Sequence, residues 1–417
     1  MDAIAAALCD CLRLDGVRTT NLASLSDQDW VEVSALARRH VVSTLFYRFL
    51  KSHANEIHPP TGVMAALRKA SLYASASSIR HELEISQVLH TLQNVGVPVI
   101  VLKGAYLAEK VYDNPAERLM SDLDLLVQFQ DLERTVTVLE TTGYRTQGPV
   151  SVEFETQDGH HLQPLNKKGS LSIEIHWTLV TPGFPQQLDI AGLWLRAELV
   201  KIAQAEALAL AAEDLLLHLC FHATYHHTFR NGLRGLTDVA YVMRRFGASL
   251  NWDAIASRAH ASRTTAPVYL AVRLAVELLG APLPPGALET LRPVGFDDHA
   301  VTIGVELLFT DQNIVNLVTP DLARSANEHS FFPWVKILLE RIFLPRTTMA
   351  RMYPAKPDSP KIYFYYLLRF RVVWKRYRRV GWGLLRRKPN LVAVADQVRQ
   401  LVKTQERLKE LIKPDHS

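Results

Sequence analysis

The sequence predicts an α+β protein, with a small mixed sheet at about residues 91–185 and α-helical regions on both sides of it. Three observations carry that reading. Two apolar runs rich in β-branched or aliphatic residues, Val97–Leu102 and Leu123–Val127, flank a short helix-like segment. Leu171, Ile173 and Ile175 alternate with Ser172, Glu174 and His176, the period of two that marks a half-buried strand. Elsewhere the apolar residues recur mainly at helical spacing. The expected organisation is an N-terminal helical region (1–90), the α/β core (91–185), a helical accessory domain (186–345) and a basic, aromatic C-terminal helical segment (346–417).

Before the sheet, Ser26 or Asp27 can cap a helix through Trp30–His40, and Ala65–Ala76 and Ile79–Gln93 continue in helical style. His53, His58 and Pro59-Pro60 mark a loop. Gly96-Val97-Pro98 then opens the first strand, and a sharp turn at Lys103-Gly104 leads into a helix over Ala105–Tyr112. After Asn114-Pro115 comes the acidic strand, Asp122-Leu-Asp124-Leu-Leu-Val127, and a helix over Asp131–Thr142 closed by Gly143. Residues 151–176 read as a β meander made of VSVEFET, HHLQPLN and SLSIEIHW, with a turn at Lys167-Lys168-Gly169. Helices are expected over Glu213–Thr228, Leu233–Phe246, Trp252–His260 and Pro267–Leu279, the last ended by Gly280, with a polar helix over Val392–Ile412 closing the chain.

A chain of 417 residues can bury a substantial core, and 48% hydrophobic with 21% charged residues fits an ordinary globular composition. The net charge of +5 suits nucleotides, nucleic acid or anionic lipid without choosing among them. Cys9, Cys11 and Cys220 give neither a disulfide framework nor zinc-type spacing, so a reducing cytoplasm is the expected setting. The first residues, MDAIAAALCDCL, carry Asp2 and Asp10 where a signal peptide needs a basic start and an uninterrupted apolar run. No apolar run is long enough to span a membrane.

Residues two apart on a strand share a face, so Asp122 and Asp124 present their carboxylates side by side. Two such anions repel, and a hard divalent cation is an economical partner for them. The Lys103-Gly104 turn at a helix start offers backbone N–H groups and a positive charge to a phosphate. Glu174 sits in its own apolar strand; if that strand lies beside the acidic one, three carboxylates converge. Its alternative is an edge-strand acid facing water.

Taken together, LKGAYLAEKVY (102–112), RLMSDLDLLV (118–127), Gly143-Tyr144 and IEIHW (173–177) resemble the nucleotidyltransferase fold of the DNA polymerase β-like superfamily. More narrowly they resemble the bacterial family of uncharacterised nucleotidyltransferases, over roughly residues 90–250 and including His222 and Leu236-Thr237-Asp238. The resemblance implies transfer of a nucleotidyl group from a nucleoside triphosphate such as ATP, with Mg²⁺ or Mn²⁺. It maps the paired metal-binding acids onto Asp122 and Asp124 and the third acid onto Glu174, while Lys103 and Gly104 at the turn, with Arg118, are the candidate nucleotide contacts. The chain departs from the superfamily in having Lys103-Gly104-Ala105 for the usual Gly-Ser turn, and in the seventeen residues between Gly104 and Asp122. Alternatives to a transferase of unknown acceptor (small molecule, peptide or RNA) are a non-catalytic nucleotide-binding scaffold and an RNA-directed transferase.

Other residues carry weaker signals. Arg118 is placed to reach a phosphate or to neutralise the acids, and His176 shares the face of Glu174 as a possible substrate contact. His218, His222 and His226 fall at i, i+4 and i+8 on one helix face without the Glu of a zinc-protease motif, so packing is favoured over zinc. Between Lys361 and Lys388 there are ten Lys or Arg, no Asp or Glu, and interleaved aromatics. That pattern fits a helix packing its rings on a core, a helix on anionic membrane, or a nucleic-acid clamp.

Overall fold

Local signals account for many element ends in the computed structural model, which describes residues 1–16, 22, 24–146, 159–181, 186–325, 331–353, 355–356, 358–386 and 388–413. Ser26 starts the Asp27–Arg39 helix through a capping box, its Oγ accepting from the Asp29 N–H while the Asp29 carboxylate accepts from the Ser26 N–H. The two helices expected between residues 65 and 93 are one helix, Thr61–Asn94. Leu67, Ala74, Ser77, His81, Ile85, Val88 and Leu92 bury one continuous stripe, and Ser77 belongs to it where a break was expected. The apolar residues Leu72, Tyr73, Ile79 and Leu83 are exposed on the same helix and blur that stripe in the sequence.

The described residues form two compact units, drawn from Met1–Arg145, Val152–Phe309 and Leu411–Ser417 for one, and from Thr146–Ser151 and Thr310–Glu410 for the other. The first unit holds a five-stranded mixed sheet flanked by helices, as the α+β reading expects. Its strands are β1 (Val99–Val101), β2 (Asp122–Val127), β3 (Ser172–His176), β4 (Glu198–Ile202) and β5 (Ala205–Ala209), in the spatial order β3-β2-β1-β5-β4. β1 runs antiparallel to β2 and parallel to β5, while β2 and β3 are parallel. The parallel register places Leu123 beside Ile173 and Leu125 beside Ile175, four buried side chains that hold it against slippage. Glu84 of the long helix accepts from the Leu171 N–H at 2.9 Å and from the Tyr144 hydroxyl, tethering the entry to β3.

Two sheet expectations change. VSVEFET, at 150–156, lies outside the described residues, and HHLQPLN makes isolated antiparallel bridges, His161 with His176 and Leu165 with Ile173, in place of a full strand. The β4–β5 hairpin lies beyond residue 185, where only helix was expected. Its two-residue turn, Ala203-Gln204, has φ of 47° and 65° without glycine or asparagine. The Ala203 N–H is held by the Glu109 carboxylate at 2.7 Å, a tertiary contact that local turn chemistry does not announce.

The second unit packs Val318, Leu322, Leu338, Ile342, Val373 and Val398 into its own core. Its helix Lys361–Leu385 leaves Tyr363, Phe364, Leu367, Phe370, Trp374 and Trp382 exposed, so most of its large apolar groups are not packed on that core. No described helix is long and apolar enough to cross a membrane.

Candidate functional site

The register of β2 and β3 sets Asp124 directly opposite Glu174 on neighbouring strands, and Asp122, two residues before Asp124, lines the same cavity of about 260 Å³. His176, two residues after Glu174, reaches back diagonally, its Nε2 3.0 Å from Asp124 Oδ1 and 3.7 Å from Glu174 Oε2. Lys103 Nζ lies 3.4 Å from the other Asp124 oxygen. Burial acts to raise the Asp124 carboxyl, but the Lys103 ammonium and the His176 hydrogen bond outweigh it and hold the group below the usual carboxylate range. Asp124 is therefore the anion, and the His176 Nε2–H donates to it. Glu174 moves the opposite way: burial, then the adjacent Asp124 charge, raises its carboxyl.

Lys103 takes this position because the chain turns on it. β1 runs into the Lys103–Lys110 helix with no intervening loop, and the positive φ of 38° falls on Lys103 itself. The turn read as a glycine turn is thus made by the lysine. Gly104 serves packing: a Cβ there would stand 3.3 Å from the Met120 Cβ, in the segment leading to β2. The Leu102 N–H donates to the Asp124 carbonyl at 3.0 Å, which ties the turn to the acidic strand.

Arg118 lines the cavity but neither of its expected contacts is what holds it. Its guanidinium grips Asp238 with both edges, Nε to Oδ1 at 2.6 Å and Nη2 to Oδ2 at 2.8 Å, in a buried ion pair. The Tyr112 hydroxyl donates to the same carboxylate at 2.8 Å. This network links the approach to β2 with the Leu233–Phe246 helix, which carries Asp238. The sequence offers no sign of a partnership across 120 positions.

Histidines line much of the remaining cavity wall: His160 and His161 from the segment beside β3, and His222, His226 and His227 from the turn after the Ala212–Phe221 helix. His160 packs on His161, His176 and His226 with ring centres 4.6, 5.5 and 4.9 Å apart. Burial, then neighbouring histidines, hold the His160 ring at about 3, so it is neutral at physiological pH. His218, expected on the same helix face, is buried, and neither ring nitrogen has a hydrogen-bond partner among the described residues. Arg234 and Asn231 also line this cavity and had no sequence signal. A second cavity, of about 390 Å³, contains Asp189 and Asp214 with Arg196 and Arg258, two acids paired with two bases.

The donor chemistry at the acids fits a divalent cation. Asp124, Glu174 and His176 each offer an atom within 4.8 Å of the others, and a cation would relieve the carboxylate repulsion that raises Glu174. Lys103 supplies a fixed positive charge at the same carboxylate.

No curated protein and no solved structure matches the chain. The family model described as uncharacterised nucleotidyltransferase matches residues 26–280, more than half of the chain, and covers β1 to β5, the acids and the histidine turn. The chain belongs to that nucleotidyltransferase family.

Proposed function

We propose that the protein transfers a nucleoside monophosphate group from a nucleoside triphosphate, ATP among the candidates, to an acceptor hydroxyl with release of pyrophosphate. The observation that carries this reading is the in-register pair Asp124–Glu174 on adjacent parallel strands, facing a cavity that also holds Asp122 and Lys103. Asp122, Asp124 and Glu174 are the residues to hold Mg²⁺ or Mn²⁺, which when bound neutralises triphosphate charge and polarises the α-phosphate. His176 fixes the Asp124 carboxylate through its Nε2–H, and Lys103 meets the phosphates from the start of its helix. The acceptor oxygen attacks the α-phosphorus, the bond to the β-phosphate oxygen breaks, and pyrophosphate leaves. Glu174, a carboxylate on the strand beside Asp124, accepts the acceptor's proton. Arg118 acts by fixing the β2 approach through Asp238, with Gly104 keeping that approach close.

Isothermal calorimetry with Mg²⁺ and each triphosphate tests the nucleotide part: metal-dependent binding of at least one triphosphate is expected. A scaffold indifferent to metal-nucleotide would give no heat and would replace this reading. The acceptor, whether small molecule, peptide or RNA, is to be found by screening labelled triphosphates against metabolite and RNA pools.

The Lys361–Leu385 helix supports a second, separate contact. Exposed Leu367, Leu368 and Val372 accompany its aromatics, and aliphatic groups gain from lipid but do not stack on bases. We therefore favour an anionic membrane surface over RNA as its partner. Co-sedimentation with phosphatidylserine vesicles, but not with neutral ones, is expected; salt-sensitive RNA binding without vesicle binding would reverse the choice.

A further inference from the structure

The wall that the acids do not use contains a second, chemically different donor set. His222–His226 is a π-turn, the one such turn among the described residues. In an α-helix of 3.6 residues per turn, His227 would lie about 140° around the axis from His222. Here the His227 N–H donates to the His222 carbonyl, five residues back, at 3.1 Å, and the widened turn brings His227 under His222. As a result His227 Nε2 lies 2.9 Å from His222 Nε2 and 3.4 Å from His226 Nδ1, and all three candidate donor atoms fall within 4.8 Å of one another.

Those separations are close to what a metal ion requires. Tetrahedral zinc with bonds of about 2.0–2.1 Å to imidazole places its nitrogens roughly 3.3 Å apart. The backbone immediately after the turn is also unusual, with Thr228 and Phe229 at φ of 43° and 60° although neither is glycine. His160 packs edge-on against His226 and limits the freedom of its ring.

We propose that His222, His226 and His227 bind a borderline transition-metal ion of the Zn²⁺, Co²⁺ or Ni²⁺ class, at a site distinct from the acidic cluster. A set of three imidazoles without a carboxylate selects such ions over Mg²⁺. All three residues line the cavity shared with Asp124 and Glu174, so the coordination left open by three protein ligands falls to water or to a substrate oxygen. Regular helical spacing puts His218, His222 and His226 on one face, a pattern that favours packing over zinc; the π-turn brings His227 to His222 and His226 in place of His218.

The test uses the full-length chain, stripped of metal by a chelator, in an Asp124→Asn/Glu174→Gln background that disables the acidic cluster. Titration with Co²⁺ is followed by its visible absorption, with Zn²⁺ as competitor and excess Mg²⁺ as control. One saturable Co²⁺ site is expected, displaced by Zn²⁺ and indifferent to Mg²⁺. His227→Gln and, separately, His226→Gln should each weaken it by at least about 100-fold. Circular dichroism melts establish which variants are folded, and either folded variant suffices. Absence of saturable Co²⁺ binding, or unchanged affinity in a folded histidine variant, would overturn the proposal. The readout does not depend on nucleotide transfer, so its failure is distinguishable from failure of the transferase reading.

Discussion

At the acidic wall of the cavity, Asp124 and Glu174 stand side by side because two parallel strands are in register; at the histidine wall, His222, His226 and His227 converge because one helical turn is widened. The first arrangement is fixed by tertiary packing, with Leu123, Ile173, Leu125 and Ile175 buried along the same pair of strands. A one-residue slip of β3 against β2 would turn Glu174 away from Asp124 and move Ile173 and Ile175 off the buried face. The second is fixed by a local backbone choice, the i to i+5 hydrogen bond of the π-turn. The acids inherit their positions from the core, whereas the histidines depend on a deviation from regular helix. Two donor sets, one holding both carboxylates and one made of three imidazoles, thus line one cavity.

Breaking the link between the walls has the largest expected effect. Arg118 precedes the acidic strand, and its partner Asp238 lies on the helix after the histidine turn. Arg118→Ala strands a buried carboxylate and is expected to cost about 3–5 kcal/mol of stability, read by urea denaturation. Loss of under about 1 kcal/mol would show that the pair does not hold the two elements together.

Glu174→Gln sharpens the comparison from the acidic side. The side chain keeps its size but loses the charge and the proton acceptor, so transfer should fall roughly 100- to 1,000-fold with little change in melting temperature. A variant as active as the wild type would move the proton acceptor elsewhere. Lys103→Met tests the fixed positive charge beside Asp124. Transfer should drop roughly 10- to 100-fold with the metal requirement retained, and unaltered kinetics would remove Lys103 from the phosphate site. Gly104→Ala should have the smallest effect. Its new Cβ meets Met120 at 3.3 Å, so about 1 kcal/mol of destabilisation is expected, read as a modest fall in urea midpoint.

The same contrast explains what could be read in the sequence. The acids were legible because a carboxylate pair at period two inside an apolar strand is visible in the residues alone. That Glu174 joins them needed only one further step, the pairing of two strands. The β4–β5 hairpin was hidden because AEALALAA reads as helix and its turn uses Ala203-Gln204 where glycine or asparagine would be the signal. His227 was hidden for the opposite reason: regular helical periodicity was applied to a turn that is not regular. Arg118 was noticed, but charge alone does not name its partner, and Asp238 is brought to it only by the fold.

The central claim is tested most directly by transfer of a labelled α-phosphate from a nucleoside triphosphate, with matched release of pyrophosphate, in the presence and absence of Mg²⁺ or Mn²⁺. The wild-type chain, given an acceptor from the screened pools, should label it only with metal, and Asp122→Ala/Asp124→Ala should abolish labelling while remaining folded. Equal labelling by the folded double variant would contradict the account.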